Sequence, residues 1–221
     1  MIGRLLPAEV STAHALDDSG GADGAGLFPA EEAAIAEAVD RRRREFTTVR
    51  VCARRAMARL GLPPVPIVPG VRGAPVWPHG VSGSMTHCAG YRAAAVARTS
   101  AVLAVGIDAE PHAALPDGVL AVISRPEEAS WVAAGGAGPG VCWDRLLFSA
   151  KEAVYKVWYP LTGKELDFGE ALVGFHASGG FTVRFLVPGP VVGGRELTGL
   201  AGRWAVTQGL VLTALALPAP R

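Results

Sequence analysis

The sequence predicts a fold of the α/β class in its α+β form, in which helices and strands mix without repeating βαβ units. Two amphipathic helical patterns, over residues 41–60 and 143–159, place apolar residues every three or four positions. Apolar stretches bounded by turn residues lie between and after them. The 221 residues allow one large domain or two small ones, and 50% of them are hydrophobic, which is enough for a buried core.

The first sixty residues predict two helices after an N-terminal segment and a loop. Met1–Leu16 is expected to be an edge strand or an irregular packing segment, and Asp17–Gly26 a surface loop rich in glycine and aspartate. Pro29 opens a helix with two glutamates in its first turn. The next helix runs to Leu60 and buries a stripe made of Phe46, Val49, Ala53, Met57 and Leu60.

The middle of the chain predicts loops and then three strands. Leu62–Pro78 is rich in proline and glycine and must be extended or looped. Ser84–His87 and Arg92–Arg98 predict strands around a Cys88-Ala89-Gly90 turn, and Ala101–Ile107 predicts a third strand, apolar enough to be central.

Two carboxylates, Asp108 and Glu110, are expected just past that third strand. Alternate residues of an extended chain point the same way, so both face one spot, about 6–7 Å apart along the backbone. Such a pair suits a magnesium ion that keeps waters and shares substrate phosphates. A purely structural pair of acids is the alternative.

The helix over Trp143–Tyr159 is the pattern on which the functional prediction depends. Asp144 suits its N-cap, and Pro160 is expected to end it. Glu152 and Lys156 are four residues apart and share a face. They are either a solvated ion pair or a metal ligand followed by a phosphate-binding cation.

Short helices are expected on one side of this helix and hairpins on the other. The helices are Leu115–Ile123 and Pro126–Ala134. The hairpins turn at Ser178-Gly179-Gly180 and Gln208-Gly209, with a Pro/Gly loop over Val187–Gly194 between them.

Composition excludes several classes of protein. A net charge of +1 and a pI near 7.8 provide no bulk field toward nucleic acid or a membrane, so a phosphate site must be local. Three dispersed cysteines without a CxxC pattern favour neither a disulfide framework nor a zinc site. The longest apolar stretch, Leu210–Leu217, is far below the ~20 residues of a membrane span. A cytoplasmic location is expected.

Seven arginines lie between positions 41 and 55, and three interpretations of them stay open. Arginine forks match phosphate oxygens, so Arg43, Arg50 and Arg54 on one flank of the helix, with Arg42 over its first turn, suit a phosphorylated ligand. A solvated basic face is the plainer alternative. An RNA-binding patch is the third, although no aromatics interleave for base stacking.

The spaced motifs are more specific than their parts. Gly-Ile-Asp-Ala-Glu at 106–110, followed by FSAKEAVYK at Phe148–Lys156, resembles the signature of the Sfp/EntD superfamily of 4′-phosphopantetheinyl transferases. The resemblance extends to RRREFTTVR at Arg42–Arg50, to the G-x-P at Gly73–Pro75 and to SMTHCAGYRAA at Ser84–Ala94. WDRLLFSAKEAVYKVWYPLTGKELDF resembles the actinobacterial branch, which serves polyketide, peptide and siderophore synthases.

The resemblance implies a fold, partners and a reaction. Two similar α/β halves, residues 1–100 and 101–221, would be related by a pseudo-twofold axis and meet at a cleft. A serine of an apo acyl or peptidyl carrier protein would attack the β-phosphate of coenzyme A, the co-substrate, with Mg²⁺ as cofactor, and 3′,5′-ADP would leave. The enzyme would be a monomer that binds neither nucleic acid nor membrane.

The resemblance also implies a role for each matching residue. The metal would be held by Asp108, Glu110, Glu152 and the backbone of Ala109. Catalysis would involve Asp108, Lys156, which neutralises the attacked phosphate, and Glu152, which takes the serine proton directly or through a water. Coenzyme A would contact Arg42, Arg50, Arg72, Gly73, Pro75, Thr86, His87, Asp108, Glu152, Lys156 and Leu166, the last at the start of a pantetheine channel. Arg43 and Arg54 are second candidates for the phosphates.

Two positions depart from the family pattern, and two other functions stay possible. Val49 precedes Arg50 where many relatives have glycine, and Ala74 replaces a lysine that some relatives carry. A Mg²⁺-dependent nucleotide phosphohydrolase would release phosphate from coenzyme A without an acceptor. A non-enzymatic RNA-binding domain would use the basic helix and show salt-sensitive, magnesium-independent affinity.

Overall fold

The computed structural model describes residues 1–18 and 26–220, which form two main antiparallel sheets with helices packed on them. The α+β class predicted from the sequence is therefore confirmed. Most of the predicted surface loop over 17–26 lies outside the described residues. Within the described part of the chain, no helix has the length and apolar character that crossing a membrane requires.

The first sheet has three strands in the order β1-β3-β2 and carries one long helix. A 3-10 turn at Ile2–Leu5 precedes this unit, and a second at Val71–Gly73 lies in the loop after the helix. The elements are β1 (Ser11–Ala15), α1 (Pro29–Ala34), α2 (Asp40–Arg59), β2 (Val81–Cys88) and β3 (Tyr91–Arg98). The predicted stripe of α2 is buried apart from Leu60, and it packs on the alanines and valines of β3.

The second sheet has five strands in the order β4-β10-β9-β6-β5. The elements are β4 (Val102–Pro111), α3 (Val119–Ile123), α4 (Pro126–Ala133), α5 (Trp143–Thr162), β5 (Ala171–His176), β6 (Gly180–Phe185), β7 (Val191–Val192), β8 (Arg195–Glu196), β9 (Gly199–Thr207) and β10 (Leu210–Pro218), with a 3-10 turn at Phe168–Glu170. α5 packs on β4 and β10 through Leu147, Ala150, Val154 and Trp158, the stripe predicted from the sequence.

Side-chain hydroxyls join the two sheets. β2 lies beside β4, but instead of backbone-to-backbone bonds, the Ser84 and Thr86 hydroxyl oxygens accept the amides of Ile107 (3.1 Å) and Ala109 (3.1 Å). The Ser82 hydroxyl donates to the Val102 carbonyl at 2.6 Å. The alternate residues of β2 thereby satisfy backbone groups at the edge of β4, which would otherwise be buried without partners.

Gly106 allows β4 and α5 to approach closely. A Cβ atom at this position would lie 2.0 Å from the Ala153 carbonyl oxygen and 2.8 Å from a methyl group of Val157. Only glycine fits without moving the helix. The glycine of the Gly106–Glu110 motif is thus explained by packing, and it sets the distance between the acids of β4 and those of α5.

Several local predictions were wrong because distant partners extend the elements. β4 includes Asp108 and Glu110, since β10 pairs with it as far as Pro111, and it lies at the edge of its sheet rather than at the centre. Pro160 is inside α5, which continues to Thr162 and ends at Gly163 in a left-handed conformation. Asp144 is in the first turn and accepts the Leu115 amide at 2.7 Å, while Cys142 is the N-cap.

Two further details refine the prediction for the C-terminal strands. The loop predicted over Val187–Gly194 contains β7, which pairs with β8 in a small hairpin. The hairpin signal at Gln208-Gly209 is confirmed, because both residues have positive φ and join β9 to β10.

Candidate active site

A cleft of about 690 Å³ lies between the two sheets, with α2 on one side and α5 on the other. Most of the cofactor-binding residues expected from the sequence line it. They are Arg42, Arg50, Arg72, Gly73, Pro75, His87, Glu152 and Lys156. The remaining walls include Phe46, Trp77, Met85, Tyr155 and Tyr159. The cleft is therefore cationic where α2 and the loop after it meet α5.

Arg50 is a buried cation at the base of the cleft. Its guanidinium carbon lies 3.4 Å from the centre of the Phe46 ring, and its Nε donates to the Ile67 carbonyl at 3.2 Å. The pKa of Arg50 is lowered to about 10, mainly by burial and also by the neighbouring Arg42 and Arg54, against the attraction of Glu31. Arg50 remains charged at neutral pH, held in one orientation and in need of a counter-charge.

Arg42 and His87 bring the two elements of the basic wall together. Arg42 Nη1 lies 2.8 Å from His87 Nε2, and since arginine can only donate, this histidine nitrogen accepts. The ring proton is then on Nδ1, which lies 3.6 Å from Glu45 Oε2. Burial, followed by the charge of Arg42, lowers the pKa of His87, so the ring is neutral at pH 7.

Sequence reasoning missed an anionic support behind His87. Glu45 is buried and also lies 3.6 Å from Arg92, whose guanidinium forms two bonds of 2.7 and 2.8 Å with Asp18. In the sequence Glu45 looks like part of the charged surface of a basic helix. Its position on the same face as Phe46 and Val49 was the only signal available.

The acidic part of the site centres on Asp108, which is buried behind Lys156 and, like Glu110, does not itself line the cleft. Its Oδ1 accepts from Lys156 Nζ at 2.8 Å and from the Thr86 hydroxyl at 3.2 Å, while Lys156 also donates to the Ile107 carbonyl at 3.0 Å. Its Oδ2 is buried and has no hydrogen-bond partner among the described residues. Such an atom needs a cation or a donor that the described residues do not supply.

Glu152 and Glu110 flank Asp108 in different environments. Burial raises the pKa of Glu152, against the attraction of Lys156, and its carboxylate accepts no hydrogen bond from any described residue. Burial and then Asp108 raise the pKa of Glu110, whose Oε2 accepts from Arg145 at 3.0 Å. In the described part of the chain, no three acids, histidines or cysteines already lie in metal-binding positions.

A second cavity of about 260 Å³ adjoins the first. Glu152 and Tyr155 line both, and the rest of its wall consists of Lys151, residues 165–168 and Ala171. Leu166, expected from the sequence at the start of a pantetheine channel, therefore lies in this neighbouring cavity rather than in the main cleft. Arg72 lines the main cleft and forms an ion pair with Glu165, which lines the second cavity.

Some expected residues lie outside the cleft wall. Arg43 donates to the Ile35 carbonyl at 2.7 Å, and Arg54 binds both carboxylate oxygens of the buried Glu31, so both connect α1 with α2. The Thr86 hydroxyl is buried against Asp108 and Ala109. The side chain of Ala109 is in the core.

Comparison with protein families identifies the chain. Residues 30–97 match the model of the 4′-phosphopantetheinyl transferase N-terminal domain, and residues 104–206 match that of the 4′-phosphopantetheinyl transferase superfamily. The 4′-phosphopantetheinyl transferase Svp of Streptomyces mobaraensis is 59% identical over 222 aligned residues, which cover 100% of this chain and 90% of the relative. The chain belongs to the 4′-phosphopantetheinyl transferase superfamily.

Two other relatives support this family assignment. The 4′-phosphopantetheinyl transferase Npt of Nocardia iowensis is 48% identical, with 98% of this chain and 99% of the relative aligned. PptT of Mycobacterium tuberculosis, with the same transferase name, is also 48% identical, with 98% of each chain aligned. The family predicted from the spaced motifs is therefore confirmed, and nothing in the comparisons favours the phosphohydrolase or the RNA-binding alternative.

Proposed function

We propose that this transferase moves the phosphopantetheine arm of coenzyme A to a serine of apo acyl or peptidyl carrier proteins. The proposal depends on one observation. Three arginines from residues 1–100 line the same cleft as Glu152 and Lys156 from residues 101–221. A nucleotide with several phosphates matches a cationic wall of this kind. The carriers proposed are those of polyketide, nonribosomal peptide, siderophore or fatty acid synthesis.

The cleft residues divide into binding and catalytic groups. Arg42, Arg50 and Arg72 bind the phosphates of coenzyme A, assisted by His87, and the Gly73–Pro75 backbone contacts the nucleotide. The pantetheine arm passes Glu152 into the second cavity beside Leu166. The proposal also divides the chain into residues 1–100, which bind the coenzyme phosphates, and 101–221, which carry the acids.

The reaction exchanges one phosphorus–oxygen bond for another. The serine oxygen bonds to the β-phosphorus, the bond from that phosphorus to the bridging oxygen breaks, and 3′,5′-ADP leaves with the electron pair. The serine proton passes to Glu152, directly or through a water, and the raised pKa of this carboxyl suits a proton acceptor. Lys156 stabilises the negative charge on the phosphate under attack, so catalysis is positioning and charge neutralisation.

The acids also fit the magnesium ion that the family implies. Asp108 Oδ2 is buried without a partner and Glu152 accepts no bond from the described residues, so both have oxygens to offer a hard cation. The proposed ligands are Asp108, Glu110, Glu152 and the backbone of Ala109, although Glu110 must share its carboxylate with Arg145. Bound magnesium would supply positive charge to the pyrophosphate.

Intact-mass spectrometry of a carrier protein tests the proposed function. An apo carrier incubated with the transferase, coenzyme A and Mg²⁺ is expected to gain the mass of phosphopantetheine, and to gain nothing when EDTA or a Ser→Ala carrier is used. Release of phosphate from coenzyme A without a carrier would favour a phosphohydrolase instead.

A monomeric state and a cytoplasmic location are part of the proposal.

A further inference from the structure

Lys151 is the one charged residue of the Phe148–Lys156 motif to which the proposed reaction gives no part. It immediately precedes Glu152, yet it lies outside the main cleft, and its side chain is only 2% exposed. Its Nζ donates to Glu128 Oε2 at 2.7 Å and to the Phe168 carbonyl at 2.7 Å. Burial lowers the pKa of Lys151, and the bond to Glu128 opposes that shift. A lysine committed in this way is poorly placed to bind a phosphate.

Both carboxylate oxygens of Glu128 are also hydrogen-bonded within the protein. Its Oε2 also accepts the Arg125 amide at 2.8 Å, at the start of α4, and its Oε1 accepts the Val173 amide at 2.7 Å, in β5. The side chain is 3% exposed. Each carboxylate oxygen has a donor, which is the condition under which a buried ion pair is tolerated. The pair joins α4, α5, β5 and the turn that begins at Phe168.

The bond to Phe168 connects this pair to the second cavity. Residues 165–168 form one wall of that cavity, Glu152 and Tyr155 form another, and Lys151 bridges the two. Lys151 thus ties the Phe168 end of this wall to the helix that carries Glu152, while Trp158 Nε1 of the same helix donates to the Lys164 and Glu165 carbonyls at the other end. Neither Lys151 nor Glu128 lines the main cleft, where the nucleotide is proposed to bind.

We infer that Lys151 and Glu128 are a positioning pair that holds the 165–168 wall against α5 and so shapes the site of the pantetheine arm. This inference rests on the proposed function. It assigns the two parts of coenzyme A to different groups of residues. The nucleotide depends on the arginines of the main cleft, whereas the pantetheine arm depends on the buried pair.

Calorimetric titration of the full chain with coenzyme A and with 3′,5′-ADP, at fixed Mg²⁺, tests the inference. Coenzyme A has the pantetheine arm and 3′,5′-ADP lacks it. Lys151→Met combined with Glu128→Gln removes both charges, so no buried carboxylate is left unpaired. We expect coenzyme A to bind about tenfold more weakly to this double variant, as loss of a charged hydrogen bond predicts. The affinity for 3′,5′-ADP should stay within about twofold, as expected for a site distant from the substitutions.

Two further variants separate positioning from general damage. Lys151→Arg keeps the cation beside Glu128 and should leave coenzyme A binding within about threefold of that of the unsubstituted chain. Lys164→Met removes a charge from an exposed side chain just before the wall segment and should change neither affinity. The double variant should have a higher KM for coenzyme A, with a smaller change in kcat. It should therefore modify a carrier more slowly at limiting coenzyme A concentrations.

Three results would overturn the inference. Equal weakening of both ligands would mean that the substitutions damage the fold as a whole. A larger loss for 3′,5′-ADP would make Lys151 a phosphate ligand, and unchanged binding of both would leave the pair without a role in the site. The proposed function fails separately, if the unsubstituted chain does not modify a carrier.

Discussion

Lys156 Nζ lies 2.8 Å from Asp108 Oδ1, and this contact leaves the other carboxylate oxygen of Asp108 buried with no partner among the described residues. The lysine comes from α5 and the aspartate from β4, so the contact spans the helix–sheet junction that Gly106 keeps close. One oxygen of the Asp108 carboxylate therefore binds a protein cation, and the other is left to bind a second cation.

Asp108→Asn should slow transfer severely while the protein stays folded. The amide can keep the bonds of Oδ1 to Lys156 and Thr86, but it removes the charge that a magnesium ion requires. We expect turnover to fall by about 10²–10³, the usual loss when a group that stabilises transition-state charge is removed. Initial rates of carrier modification measure the loss. Asp117→Asn, an exposed acid after β4, is the control and should keep its rate. Near-normal turnover of Asp108→Asn would mean that this aspartate holds no metal.

Glu152→Gln should stabilise the protein when divalent cations are absent and the pH is above neutral. Burial raises the folded-state pKa of Glu152, so ionisation of this group opposes folding as the pH rises from about 4.5 through that raised pKa. Glutamine does not ionise, so the melting temperature of the variant should exceed that of the parent at pH 8 and converge with it near pH 4. Melting curves with EDTA measure the difference.

Added Mg²⁺ should reverse the order of the melting temperatures of the parent and Glu152→Gln. Glutamine removes one of the three proposed carboxylate ligands, so Mg²⁺ should raise the melting temperature of the parent more than that of Glu152→Gln. An equal response of both proteins would exclude Glu152 from the metal site.

Arg50→Ala should weaken binding of coenzyme A more than that of dephospho-coenzyme A, if Arg50 contacts the 3′-phosphate. Loss of a buried guanidinium predicts a change of about tenfold or more for coenzyme A, and the affinity for dephospho-coenzyme A should change much less. Competition binding measures both. Arg50→Lys keeps the charge without the fork and should be intermediate, while Arg195→Ala, on the exposed strand β8, should have no effect. Equal losses for both ligands would assign Arg50 to another phosphate or to packing.

Gly106→Ala should destabilise the fold by about 1–3 kcal/mol, the range found for overpacked cores. The added methyl group would lie 2.0 Å from the Ala153 carbonyl oxygen, which must then move away together with α5. Urea unfolding measures the loss. Gly174→Ala, at an exposed position of β5 where a Cβ has ordinary clearance, is the matched control and should not lower stability. A stable Gly106→Ala protein would mean that β4 and α5 are farther apart than described.

Local patterns predicted the helices and hairpins well, because the signals for these elements lie within a few residues. The apolar stripe of α5 and the Gln208-Gly209 turn are examples. The extent of β4 could not be predicted, since pairing with β10 carries the strand through Asp108 and Glu110. Pro160 likewise misled, because packing of Leu161 and the bond from the Gly163 amide to the Tyr159 carbonyl continue the helix beyond it.

The site was predictable as a set of motifs but not as two cavities. Spacing alone placed Glu152 and Lys156 on one face of a helix, and both line the main cleft. The partners that orient them come from distant parts of the chain, as Glu45 does for His87 and Glu128 for Lys151. Each of these glutamates resembles a surface residue in the sequence, and only the fold reveals that it is buried.

A crystal structure of the transferase with coenzyme A and Mg²⁺ tests the central proposal most directly. We expect one magnesium ion bound by Asp108, Glu110 and Glu152 beside the pyrophosphate, with Arg42, Arg50 and Arg72 on the phosphates and the pantetheine arm beside Leu166. A nucleotide bound outside the main cleft, or a metal ion that none of these acids contacts, would contradict the proposal.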